Sequence, residues 1–319
     1  KMSADESDAH VISDGFGDNA KQQLRELIRQ NYNHPSVIVW GLSNELHQMT
    51  DEIFGLYSEL YEIACKEDDT RLKTFADNQF YGRFLELPAD VVGYNRYFGW
   101  YKDAGSAENF GEWLDLYHNE KEKRPVCLSE YGGGGAISQH KDNVDWESDI
   151  DPVGVRHYEN YQSQLHEILW KQFSVRKYLW AEFIWCMFDF ASYGRTEGDT
   201  KSLNDKGLCT RERIPKDVYF FYRSVWSSEK TVYITERRHE FRACDVPFVK
   251  VYSNADAVEL CINDVSYGRI SRCELPDNEN TVFVWKNIKI IPDTKNKICA
   301  KAYFSDGTSR TDYAFWTGK

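Results

Sequence analysis

The sequence predicts an α/β fold, a (β/α) barrel layer followed by a small immunoglobulin-like β-sandwich. Three observations predict it. Between about 18 and 228, short apolar runs alternate with stretches of helical periodicity, the pattern of parallel strands with helical cover. After about 229 the runs shorten, alternate in polarity and are separated by turn residues. Two of the earlier apolar runs also end in a carboxylate, at Glu45 and Glu130.

Taken in order, Leu24, Leu27, Ile28 and Tyr32 recur at helical spacing and predict the first helix. Residues 37–40 form a strand-like run, and Ile53, Leu56, Tyr57, Leu60 and Ile63 share one face of a second helix. Strand-like runs follow at 72–76, 91–94, 126–128 and 178–188, with helical stretches near 106–120 and 155–172. The run 178–188 is almost wholly apolar, which predicts a strand buried on both faces. Beyond 229, alternating strands at 249–252, 258–262, 281–285 and 298–304 are divided by turns such as Asn263-Asp264, Pro276-Asp277-Asn278 and Ser305-Asp306-Gly307.

Composition narrows the function classes. A net charge of −12 argues against nucleic acid or an anionic membrane surface as partner. No apolar run reaches the length of about 18 residues that a membrane-spanning helix needs. With 10 Trp and 20 Tyr, the chain has ample aromatic faces for stacking on sugar rings, although an aromatic core explains them equally. The 8 cysteines show neither a Cys-x-x-Cys pair nor metal-ligand spacing with histidine. The polar opening Lys1-Met2-Ser3-Ala4-Asp5 reads as the interior of a longer protein, so the compartment stays open.

The two strand-end glutamates carry the chemistry. An unpaired buried charge costs several kcal/mol, whereas the carboxyl ends of barrel strands are where catalytic groups sit. Two carboxylates from different strands can flank one glycosidic bond. The strings around them, Asn33-His34-Pro35-Ser36 leading to Trp40 and Asn44-Glu45, then Ser129-Glu130-Tyr131-Gly132, resemble glycoside hydrolase family 2, the β-galactosidase and β-glucuronidase family. Asn95-Arg96-Tyr97-Phe98-Gly99-Trp100-Tyr101 agrees, as do the segment 185–190, Gly198-Asp199-Thr200 and Asn204-Asp205-Lys206-Gly207.

The resemblance implies Glu45 as acid/base and Glu130 as nucleophile of a retaining hydrolysis. It implies substrate-binding roles for Asn44 (the sugar 2-hydroxyl), Tyr97 (orienting the nucleophile), Tyr101, Trp185 (stacking beneath the sugar), Asn204 and Lys206. An Asn-x-Lys pair at this place suits a sugar carboxylate, yet galactosidase-like members match as well. The resemblance leads to a β-galactosidase as the first expectation, with a β-glucuronidase or β-mannosidase as alternatives and a non-catalytic carbohydrate-binding protein as a third. Neither a cofactor nor a metal ligand set is assigned. Gly132 to Gly135 reads as a flexible loop at the rim of the site.

In this family the two glutamates end the fourth and seventh barrel strands. The chain therefore looks like the C-terminal part of a TIM barrel, about five of eight strands, in residues 1–228, with the immunoglobulin-like sandwich in 229–319. The expected partners are a carbohydrate substrate and the N-terminal part of the parent protein, which would complete the barrel; a homo-oligomer is compatible with the sequence.

Overall fold

The computed structural model describes residues 15–79 and 81–319, so the polar opening segment lies outside the described residues. The chain divides into two compact units. The first comprises the described residues through Tyr97 with Gly111–Tyr131 and Arg176–Ile184; the second comprises Phe98–Phe110, Gly132–Val175 and Trp185–Lys319.

In the first unit, β1 (Val39–Asn44), β2 (Leu72–Asp77), β3 (Val92–Asn95), β4 (Val126–Tyr131) and β5 (Leu179–Ile184) form one parallel sheet in sequential order. Helices α1 (Phe16–Asn31), α2 (Asp51–Glu67) and α3 (Phe110–Glu120) connect or precede these strands. This is the succession of βα units that builds a TIM barrel. Leu24 and Ile28, one turn apart on α1, join Trp40, Ile63 and Ala64 in a buried cluster. Helix α2 starts at Thr50, whose hydroxyl accepts the Ile53 N–H at 3.2 Å, with Asp51 and Glu52 at the positive end of the helix.

The return from α2 to β2 is fixed by buried Asp68. Its carboxylate accepts Trp40 Nε1 at 2.9 Å, Thr70 Oγ1 at 2.6 Å and Arg71 Nη1 at 2.6 Å. Burial opposes its charge, but these bonds outweigh burial and hold the carboxyl well below the usual range. Gly93 on β3 answers a close approach: a Cβ there would lie 2.9 Å from both Phe75 O and Ser129 Cβ.

The second unit contains α4 (Trp146–Asp149), α5 (Glu159–Phe173), the hairpin of β6 (Phe190–Ala191) with β7 (Leu203–Asn204), and α6 (Asp217–Trp226). Strands β8 (Val232–Ile234), β9 (Phe241–Arg242), β10 (Asp245–Ser253), β11 (Ala257–Ile262), β12 (Val265–Ser271), β13 (Val282–Lys289), β14 (Lys295–Tyr303) and β15 (Ser309–Gly318) follow. They form two sheets, in the orders β13-β10-β8 and β12-β11-β14-β15-β9. Val249, Leu260, Phe283, Ile298 and Trp316 share the core cluster of this sandwich. Helix α5 is tied to β10 through Glu167, which accepts Lys250 Nζ at 2.7 and 2.8 Å, and Asp217 of α6 accepts the Tyr233 hydroxyl at 2.7 Å.

Two expectations need correction. The run 178–188 is not one strand buried on both faces: β5 ends at Ile184, and Phe183 is 46% exposed. β5 is an edge of the sheet, so among the described residues no strand flanks it on one side. Beyond it, Cys186 turns to exchange backbone hydrogen bonds with Lys206 and Leu208. Gly132 to Gly135 is no flexible rim loop either, because all four residues are buried. A Cβ on Gly133 would lie 2.7 Å from Leu165 and Trp100, and one on Gly134 would lie 2.4 Å from Asp205 Oδ1. The glycines are there because close-packed neighbours leave no room for side chains.

Replacing Phe283 by Ala removes a fully buried ring from the sandwich core. We expect a loss of about 3–5 kcal/mol in denaturant unfolding; a change below about 1 kcal/mol would mean that Phe283 is not a core residue.

Candidate active site

The first unit brings four of the expected residues into one hydrogen-bond network. Parallel strands deliver the ends of β1, β3 and β4 to the same edge of the sheet, and Asn95 ties them together. Its Nδ2 donates to Glu45 Oε1 at 3.0 Å and to Asn44 Oδ1 at 3.1 Å, while its Oδ1 accepts the Ser129 hydroxyl at 2.7 Å. Asn95 pairs in register with Glu130, and the Arg96 N–H donates to Glu130 O at 2.9 Å. The Tyr97 hydroxyl donates to Glu130 Oε2 at 2.5 Å. Hydrogen bonds of this kind favour the ionised carboxylate and fix its rotamer.

Glu45 leaves β1 in the left-handed region, with φ at 49°, and its N–H donates to Ala76 O at 2.9 Å. A non-glycine residue held there is strained by about 1–3 kcal/mol, and such strain clusters at functional sites. A cavity of about 590 Å³ lies against this strand end, with Asn44 and Glu45 at its polar side and Leu42, Ile53 and Leu56 among its walls.

Asp77, at the end of β2, was not among the residues the sequence singled out. It is buried, its Oδ1 accepts the Gln79 N–H at 2.8 Å, and its Oδ2 has no hydrogen-bond partner. Burial, with a contribution from the charge of Glu45, raises its pKa to about 6 against the backbone hydrogen bonds that oppose the shift. Asn95 and Ser129 were also missed as site residues. Both stand in the motifs that carry the family resemblance, but no role had been assigned to either.

The second unit holds the other expected residues. Asn204 and Lys206 are both buried, and Asn204 Oδ1 accepts the Lys206 N–H at 3.1 Å. Lys206 Nζ donates to the Tyr101 hydroxyl at 3.2 Å and lies 5.7 Å from the Trp100 ring centroid. The turn is clamped from behind by Lys216, whose Nζ donates to Asp189 Oδ1 and to Asp205 O, both at 2.8 Å. His157 Nδ1 meets Asp205 Oδ2 at 2.7 Å, and Gly207 N donates to Asp189 Oδ1 at 2.8 Å. Trp185 is half-buried and packs edge-on against Phe190, with centroids 5.8 Å apart. Asp142, Glu236 and His239 place ligand atoms within 4.8 Å of one another. Arg242 Nη2 already bonds to Asp142 and lies 2.9 Å from Glu236 Oε2, so a guanidinium supplies the positive charge there.

The family described as glycosyl hydrolases family 2, TIM barrel domain, matches residues 6–231, and a domain of unknown function matches residues 246–310. A β-glucuronidase of Bacteroides fragilis is 38% identical over 277 residues, which cover 86% of this chain and 38% of that protein. Among solved structures, an FMN-binding β-glucuronidase of Faecalibacterium prausnitzii superposes with a TM-score of 0.84 at 32% identity, over 96% of this chain and 45% of the other. A B. fragilis protein assigned as a β-galactosidase gives 0.85 at 31%, over 96% and 44%. The chain thus spans less than half the length of each of these proteins.

Asp77 makes a pH-dependent prediction. A carboxyl whose folded pKa is raised contributes stability below its unfolded value near pH 4, and that contribution is lost as pH rises through about 6. Asp77→Asn should therefore gain on the wild type in thermal midpoint between pH 4 and pH 7, then hold a constant lead. A pH-independent difference would refute the buried, proton-holding carboxyl.

Proposed function

The chain belongs to glycosyl hydrolase family 2, and on that premise we propose that it forms part of a retaining β-glycosidase acting on β-glucuronides. The observation that carries this reading is the buried Lys206, preceded by Asn204 and bonded to the Tyr101 hydroxyl. A sugar C6 carboxylate is an anion that a lysine ammonium and a phenol hydroxyl can both bond. The β-glucuronidases among the relatives support the same sugar over the β-galactoside first expected from the sequence. The galactosidase reading is kept as the second, supported by the B. fragilis structure assigned that activity.

The reaction then uses the first unit's residues. Glu130, oriented by Tyr97, attacks the anomeric carbon while Glu45 gives its proton to the departing oxygen. The glycosyl ester on Glu130 is next attacked by a water whose proton Glu45 takes, which restores both groups and retains the β configuration. Asn44 bonds the sugar 2-hydroxyl, a contact that strengthens as the oxocarbenium-like transition state forms.

We also propose that further polypeptide closes the barrel, because β1 and β5 end the sheet of the first unit and each has an edge left unpaired among the described residues. We further propose a boundary between catalytic barrel and sandwich at 228/229.

The test uses the longest natural polypeptide that carries this chain, assayed side by side on 4-nitrophenyl β-glucuronide, β-galactoside and β-mannoside. The glucuronide should be turned over fastest, and a faster galactoside or mannoside would defeat the substrate assignment. Lys206→Gln should lower kcat/KM on the glucuronide by about a hundredfold and spare the neutral glycosides. Glu45→Gln should cost about a hundredfold to ten-thousandfold in kcat; normal turnover would remove it from the acid/base role.

A further inference from the structure

The larger sheet of the sandwich turns one face to its core and the other outward. Along β14, Ile298, Ala300 and Ala302 belong to the core cluster, so Lys295, Lys297, Cys299, Lys301 and Tyr303 alternate with them on the outer face. On β15, the core residues Ala314 and Trp316 leave Tyr313 and Phe315 outside, at 51% and 45% exposure. Register places Tyr313 opposite Cys299, Phe315 opposite Lys297 and Thr317 opposite Lys295. Phe241 of β9 pairs with Thr317 and is 54% exposed. Three large rings thus stand close together on one sheet face, and a grouped exposed aromatic surface marks an interaction site.

Cations sit over the rings of this face. Lys295 Nζ lies 4.8 Å from the Phe315 centroid, and Lys319 Nζ lies 4.5 Å from that of Phe241. The Arg269 guanidinium and Lys301 Nζ lie 4.2 and 5.1 Å from the Tyr303 centroid. Glu259 stands opposite both Arg269 and Lys301 in the ladder, and it accepts the Tyr303 hydroxyl at 2.9 Å and the Ser266 hydroxyl at 3.1 Å. Asp264, in the β11–β12 turn, accepts Lys297 Nζ at 2.6 Å. The outer positions of β12, β11 and β14 thus set Arg269, Lys295, Lys297 and Lys301 against Glu259 and Asp264. This face is positive on a chain whose net charge is −12.

We propose that this face of the sandwich is a docking surface for an anionic polysaccharide, a chain of sugars with a carboxylate on every sugar or every second one. Pyranose rings pack their C–H faces on exposed aromatic rings, and ammonium groups beside those rings meet the carboxylates. The positive charges are widely spaced: Lys295 and Lys301 stand six residues apart on β14, about 20 Å. Duplex DNA carries one charge per about 1.7 Å, and the acidic body of the chain repels so dense an anion. A glycan with dilute charges and apolar ring faces between them fits the alternation of ammonium and aromatic ring. Docking here raises the local concentration of polymer around the enzyme, whichever terminal sugar the candidate active site takes.

The experiment is affinity gel electrophoresis of the longest natural polypeptide that carries this chain, with Glu130→Gln to prevent hydrolysis. The gels contain hyaluronan, in which a uronate alternates with a neutral amino sugar, or uncharged dextran, at about 0.1 M salt. Hyaluronan should retard the protein and dextran should not. Tyr313→Ala together with Phe315→Ala should weaken hyaluronan binding about tenfold. Lys295→Gln together with Lys301→Gln should weaken it as much and flatten its salt dependence. With Glu130 intact, both pairs should leave turnover of the preferred aryl glycoside within about twofold, which shows that the fold survives. Should the alanine pair lower that turnover, Tyr313→Thr with Phe315→Thr keeps residues suited to a strand and gives the same readout. No retardation by hyaluronan, equal retardation by dextran or tighter binding of duplex DNA overturns the proposal. A loss with the lysine pair but none with the aromatic pair overturns it too. None of these results touches the glucuronide assignment, which the aryl glycoside rates decide.

Discussion

The carboxamide of Asn95 is the constraint on which the candidate catalytic arrangement depends. One buried side chain bonds to the end of β1 through Asn44 and Glu45, and to β4 through Ser129. The strands themselves are held by ladder bonds and core packing, but ladders do not fix side chains beyond the last pair. Without Asn95, Glu45 would be a left-handed residue with no tether on its carboxylate. With it, the backbone strain at Glu45 is offset by hydrogen bonds that act only when the strand ends are in register. Tyr97, two residues further along, performs the same service for Glu130. A single short segment at the end of β3 therefore orients both carboxylates.

The second unit solves a different problem, that of holding positive charge in a buried place. Lys206 is fixed by its neighbours along the chain and from behind. Asn204 takes its backbone N–H, while Lys216 and Asp189 clamp the turn on either side of it. Gly207 has to be glycine, since a Cβ would fall 2.2 Å from Asp189 N and 2.4 Å from Cys209 O. The buried ion pair Lys216–Asp189 and the His157–Asp205 contact are structural in this account. They hold the turn that carries Lys206.

Much of this was legible in the sequence for physical reasons. Periodicity identified α1, α2 and the five strands because each buries one face or run, and the four motifs identified the family because they contain polar residues where burial would favour apolar ones. Other elements left no such mark. β12 is exposed along most of its length, so its side chains show no alternation between core and solvent. β15 begins Ser-Arg-Thr-Asp and places apolar residues on its exposed face as well, with Tyr313 and Phe315 both largely exposed. The break after Ile184 was hidden because Trp185, Cys186 and Met187 are apolar although the strand has ended. Asp77 is an ordinary polar residue in sequence, and Asn95 and Ser129 stood in motifs without a role of their own. Their significance lies in partners brought from strands or loops distant along the chain.

The proposed reaction depends above all on the nucleophilic role of Glu130. The most direct measurement is mass spectrometry of the longest natural polypeptide after incubation with a 2-deoxy-2-fluoro-β-glucuronosyl fluoride, a reagent that forms the glycosyl ester but hydrolyses slowly. The account predicts one added fluoro-glucuronosyl group per chain, located on the peptide containing Glu130, and no label in Glu130→Gln. A label on another residue, or steady turnover of the parent glucuronide with no adduct at all, would contradict it.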